Sequence, residues 1–189
     1  MKDFLYIKPQ KTGTKSIRLS LSKYTDNVQG IKITNENSNI CEHKTFLQYK
    51  EIFNNGITGN TVLIMSIRNP FDRMISWYFD TIKRRFREFD YKSLSFADAI
   101  KNRPEWVNKL IPLSEFNKGT TNINYIRFEN LQQDFDIVCD KIGIARQQLP
   151  HENKTKHKHY AEYYDDETKQ IVAEKYAKDI EYFGYEFEK

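Results

Sequence analysis

Lys11, Thr12, Gly13, Thr14, Lys15 and Ser16 place two cations, three hydroxyls and a glycine in six consecutive positions. They lie between a short apolar run, Phe4 to Ile7, and a helical pattern carried by Ile17, Leu19, Leu21 and Tyr24. A strand that feeds a small-residue loop and then a helix turns backbone N–H groups and the positive end of the helix toward a phosphate or sulfate. Lysine adds a point charge and the hydroxyls add directional donors. The chemistry indicated is the handling of a phosphorylated or sulfated nucleotide.

A second constellation spans Arg68-Asn69-Pro70-Phe71-Asp72-Arg73 through Ser76. Residues 62–67 are apolar apart from Ser66, which predicts a buried strand. Asn69-Pro70 is a helix start, with Asn as the cap and Pro at the first helical position. Arg68 then stands at the carboxyl end of a parallel strand, where open α/β sheets bind ligands. Arg68 and Ser76 can converge on one anion if the helix packs beside the strand end. The plainer alternative pairs Arg68 with Asp72 or another carboxylate.

These residues need a scaffold. Residues 30–34 read as a second strand, and residues 42–53 read as a helix ended by Asn54-Asn55-Gly56. Residues 70–88 read as a long helix with Phe71, Ile75, Tyr78, Phe79 and Ile82 on one stripe and a basic end, Lys83 to Arg87. Ser95 starts a peripheral helical region over 95–117; Trp106 within it either lines a cleft or joins the core. A strand over 124–128, a helix over 131–142 and a last amphipathic helix over 166–181 complete the pattern. The alternation predicts an α/β fold, a three-layer sandwich with a mainly parallel central sheet.

At 189 residues the chain is most simply one domain, 1–189. Aromatic residues make up 14%, which is unlike a disordered chain despite 30% charged residues. A net charge of +4 demands no nucleic-acid partner. Cys41 and Cys139 form no Cys-x-x-Cys pair, so neither a zinc framework nor a disulfide scaffold is indicated. The opening apolar stretch is too short for a signal peptide, and no run approaches the roughly 20 apolar residues of a membrane span. The expected location is cytoplasmic.

Taken together, the two constellations resemble a family. Lys11-Thr12-Gly13-Thr14-Lys15-Ser16 is similar to the 5′-phosphosulfate loop of the cytosolic and Golgi-type sulfotransferases. Arg68 to Ser76 is similar to their 3′-phosphate motif. The tail, Tyr163-Tyr164-Asp165-Asp166-Glu167 and then Ile180 to Tyr185, resembles the C-terminal helix of the carbohydrate branch. The resemblance runs in the family's order from residue 4 to about residue 187. It implies a P-loop-like sandwich, 3′-phosphoadenosine 5′-phosphosulfate (PAPS) as the donor, and sulfuryl transfer to an acceptor hydroxyl, on a carbohydrate or glycolipid first of all. The family's loop usually reads Lys-Thr-Gly-Gly-Thr-Ser, so Thr14 and Lys15 depart from it. A Cβ at Thr14 requires ordinary backbone there, or strain.

The resemblance also implies roles. Lys11 donates where negative charge develops, and Lys15 faces solvent or acceptor. Gly13 with Thr12, Thr14 and Ser16 holds the 5′-phosphate; Arg68 and Ser76 hold the 3′-phosphate. The basic segment 153–160 is by default a solvated loop; by the resemblance its Asn153, Thr155 and Lys156 contact the donor. His43 is the expected general base, with Glu42 beside it as the carboxylate alternative and an ordinary helix-start residue as the bland one. No metal is expected in the transfer step. Two other readings stand beside this one: a P-loop kinase using Lys15 and Ser16, although Pro9 and Thr14 occupy both required glycine positions, and a catalytically silent nucleotide- or glycan-binding member.

Overall fold

The computed structural model describes residues 1–27, 43–53, 56–80, 94–150 and 158–188. Three strands, β1 (Phe4–Ile7), β2 (Val62–Ile67) and β3 (Ile123–Arg127), form a parallel sheet in the order β1-β2-β3. The described α-helices are α1 (Thr14–Leu21), α2 (Phe46–Phe53), α3 (Pro70–Trp77), α4 (Phe96–Asn102), α5 (Pro104–Val107), α6 (Leu113–Phe116), α7 (Leu131–Ile142), α8 (Asp166–Lys175) and α9 (Ala177–Phe183). The architecture is α/β with a parallel sheet, as the alternation of patterns predicts. Central β2 is buried from Leu63 to Ile67, as a strand covered on both faces must be. Pairing of β1 ends at Ile7 opposite Met65, while β2 runs on through Ser66 and Ile67 beside Ile126 and Arg127.

By packing, the chain divides into two compact units, Met1–Ile67 with Glu115–Glu152 and Arg68–Ser114 with Asn153–Lys189. The first holds the sheet. Phe4, Tyr6, Ile64 and Ile126 share one sheet face and meet Ile17 and Leu21 of α1 and Phe135, Val138, Cys139 and Ile142 of α7. Each large apolar side chain so buried is worth about 1.5–3 kcal/mol. In the second unit Phe71, Met74, Ile75 and Tyr78 pack with Phe96, Ile100, Trp106, Val172 and Tyr176. Trp106 meets Trp77 edge-on at 6.1 Å and belongs to this core, not to a cleft.

Several boundaries differ from the sequence expectation, each for a local reason. The helix expected from residue 42 starts at Phe46. His43 is left-handed, with φ 58, and Thr45 and Gln48 cap each other's backbone N–H at 2.9 and 3.3 Å. The strand expected over 124–128 is Ile123–Arg127, since β2 offers its last pairing partner, Ile67, to Arg127. The single peripheral helix expected over 95–117 is three short ones, and Leu113 and Phe116 are fully buried. Pro104 forces Arg103 to φ −135 and ψ 67, which ends α4 at Asn102. The last helix breaks at Tyr176, whose hydroxyl donates to the Val107 and Leu110 carbonyls. The strand expected over 30–34, Ile82 and the basic run 83–87 lie outside the described residues. Among the described residues no helix is long and apolar enough to cross a membrane.

Candidate functional site

The loop between β1 and α1 owes its shape to two left-handed residues, Lys11 at φ 64 and Gly13 at φ 77. Position 13 admits little else. A Cβ there would stand 3.0 Å from Phe128 Cδ2, in addition to the cost of its positive φ. Gly13 is the N-cap of α1 and Thr14 is its first helical residue. Thr14 therefore has ordinary helical backbone, and the strain that a second glycine would relieve elsewhere does not arise here. The first turn of α1 carries no acidic residue, so no side chain of that turn opposes an anion at its N-terminal amides and dipole. Lys11 is half-buried, Lys15 is exposed and Ser16 is buried.

Thr12 points inward. It is 0% exposed, and its hydroxyl donates to the Pro9 carbonyl at 2.8 Å while lying 2.7 Å from Ser66 Oγ. Tyr6 donates to the same Ser66 Oγ at 2.8 Å. Burial pushes the Tyr6 phenol well above its ordinary pKa, with the Ser66 bond opposing in part. The phenol is a neutral donor at any physiological pH.

His43 comes to the same loop. Its Nδ1 lies 2.8 Å from the Lys8 carbonyl oxygen. A carbonyl only accepts, so Nδ1 carries the hydrogen and the neutral ring keeps its lone pair on Nε2. The imidazole is thus oriented by backbone at the strand end that opens the loop, with the tautomer a general base requires. Glu42 lies outside the described residues, as do Asn153, Thr155 and Lys156.

In the second unit, α3 starts as its sequence predicts. Asn69 Oδ1 accepts the Phe71 N–H at 3.1 Å, and Pro70 fills the first helical position. The Asn69 Nδ2 group also donates to the Glu186 carbonyl at 2.9 Å, tying the C-terminal tail to this cap. Arg68 is 6% exposed, and its Nε donates to Asp72 at 2.8 Å. The plainer expectation for Arg68 is therefore realised, and the carboxylate on Nε fixes the direction of the guanidinium. Asp72 and Ser76 are four apart on α3 and share a face. Arg73 is fully buried and donates to the Ile111 carbonyl. Burial pulls its pKa down to about 10; nearby Tyr176 and Asp179 raise it and Arg68 lowers it further.

Lys11, Thr12, Gly13, Thr14, Lys15, Ser16 and His43 thus gather around one loop, while Arg68, just before α3, and Ser76, within it, belong to the other unit. Sequence reasoning passed over Tyr6, Ser66 and the Lys8 carbonyl. The signal for Ser66 was present, as the one polar residue in the apolar run 62–67.

A model described as "Sulfotransferase family" matches residues 4–186. Among solved structures the chain resembles the crystal structure of a sulfotransferase from Alicyclobacillus acidocaldarius, at 13% identity and a TM-score of 0.48, over 99% of this chain and 97% of that one. No curated protein matches the sequence.

Proposed function

The chain belongs to the sulfotransferase family, by its match over residues 4–186, and from that premise we propose that it moves a sulfuryl group from PAPS to an acceptor hydroxyl. The observation that carries this reading is the β1–loop–α1 unit, where left-handed Lys11 and Gly13 lead into a helix start without an acidic residue. Such a start favours an oxyanion ligand.

PAPS supplies an activated sulfuryl group. The residues present suit its 5′ end: the amide N–H groups at Gly13 to Ser16 donate to the 5′-phosphate, and Lys11 offsets charge that develops as the bridging bond weakens. Thr14 and Ser16 add side-chain donors, and Thr12 acts by holding the loop from beneath. Arg68 and Ser76 take the 3′-phosphate in this reading, with Asp72 orienting Arg68. Asn153, Thr155 and Lys156 remain further donor contacts by resemblance. His43 Nε2 receives the acceptor's proton, and Glu42 is the alternative base. The acceptor is a carbohydrate or glycolipid hydroxyl, by the tail's resemblance to the carbohydrate branch. Nothing in this scheme calls for a metal or a nucleic acid.

Calorimetric titration with 3′-phosphoadenosine 5′-phosphate, beside Mg²⁺-ATP and 5′-adenylate, tests the donor. Binding that needs the 3′-phosphate and ignores Mg²⁺ is the expected result. Preference for Mg²⁺-ATP would overturn the reading in favour of a kinase, and tight donor binding without transfer to any screened glycan would mark a silent member.

A further inference from the structure

We infer, resting on the donor reading above, that Tyr6 and Ser66 are positioning residues: a buried chain of three hydroxyls clamps the loop in its anion-binding shape. The contacts are Tyr6 to Ser66 at 2.8 Å, Ser66 to Thr12 at 2.7 Å and Thr12 to the Pro9 carbonyl at 2.8 Å. Their direction is determined. Pro9 offers only an acceptor, so the Thr12 proton is spent there; Ser66 accepts from Tyr6 and must donate its own proton to Thr12. Every proton in the chain runs toward the loop backbone.

Three observations make this more than incidental satisfaction of buried groups. Ser66 is fully buried in an otherwise apolar strand, where a hydroxyl costs stability unless it is bonded. It lies just past the last β1–β2 pair, Ile7 with Met65, so it sits where β1 has given way to the loop. The Thr12–Pro9 bond closes a short turn around Lys11, a residue with a Cβ held at φ 64, which needs its surroundings to keep it there. His43 grips the preceding carbonyl, Lys8, at 2.8 Å. Consecutive carbonyls at the start of the loop are therefore fastened by two side chains, and the imidazole and the loop amides share one frame.

The test uses the full chain with Ser66→Ala and the gentler Tyr6→Phe. Affinities are read for 3′-phosphoadenosine 5′-phosphate and for adenosine 3′-phosphate, which lacks the 5′ group. Ser66→Ala should weaken the first about 3- to 10-fold and leave the second unchanged, with Tyr6→Phe showing a smaller loss of the same selectivity. Adding Thr12→Val to Ser66→Ala should cost little more than either alone, as expected of links in one chain. Equal weakening of both nucleotides, or of neither, would overturn the inference. Amide hydrogen exchange without ligand gives an independent readout. Faster exchange at residues 13–16, with β2 unchanged, is expected in both variants, and unchanged exchange at the loop would reject the clamp. If the unmodified protein binds neither nucleotide, the donor reading fails while the exchange comparison still decides the clamp.

Discussion

The loop at residues 8–16 and the helix start at residues 68–76 are both suited to anions, but by different means. The loop works through backbone: left-handed Lys11 and Gly13, helix-terminal amides, and hydroxyls bonded beneath it. The helix start works through side-chain charge on regular structure, with an Asn cap, a proline at the first position and Arg68 aimed by Asp72. A backbone device positions a reacting group closely because few of its torsions are free, whereas a guanidinium offers charge and planar donors. In the proposed reaction the loop region should therefore govern turnover and the helix start should govern recognition.

His43→Ala offers the strongest challenge to that division. Turnover should fall roughly 10²–10⁴-fold, far more than donor affinity, which loses only the ring's hold on the Lys8 carbonyl beside the loop. If single-turnover rates hold, the base is Glu42 or another group. Lys11→Ala should lower kcat by about 10²–10³-fold, while exposed Lys15→Ala changes it little; steady-state rates for the two variants compare them directly, and a reversed order would shift the loop register to the kinase-like alignment. Arg68→Ala should weaken 3′-phosphoadenosine 5′-phosphate about 10- to 100-fold and 5′-adenylate far less. Equal loss on both nucleotides in parallel titrations would return Arg68 to a purely structural pairing with Asp72.

Much of this was legible because it is local. The Asn69-Pro70 cap, the start of α8 at Asp166 and the span of α7 each depend on a few adjacent residues, and each stands where its pattern puts it. The three-way split of 95–117 was less visible: Pro104 signals a break, yet the apolar period continues through Trp106, Leu110 and Leu113. For Thr14 the sequence allowed ordinary backbone or strain; the residue is ordinary helix, and the positive φ falls at Lys11 and Gly13.

The sequence by itself determined the parallel α/β order, the cationic hydroxyl-rich loop and the arginine before a capped helix. Periodicity, capping and loop chemistry act over a few residues, and they can be read along the chain. Only the tertiary structure decided that Tyr6, Ser66 and Thr12 form one chain of hydroxyls and that His43 turns its Nδ1 to the Lys8 carbonyl. Those partners stand 60, 54 and 35 residues apart. Strand register and packing bring them together, and no local pattern of residues records such a meeting.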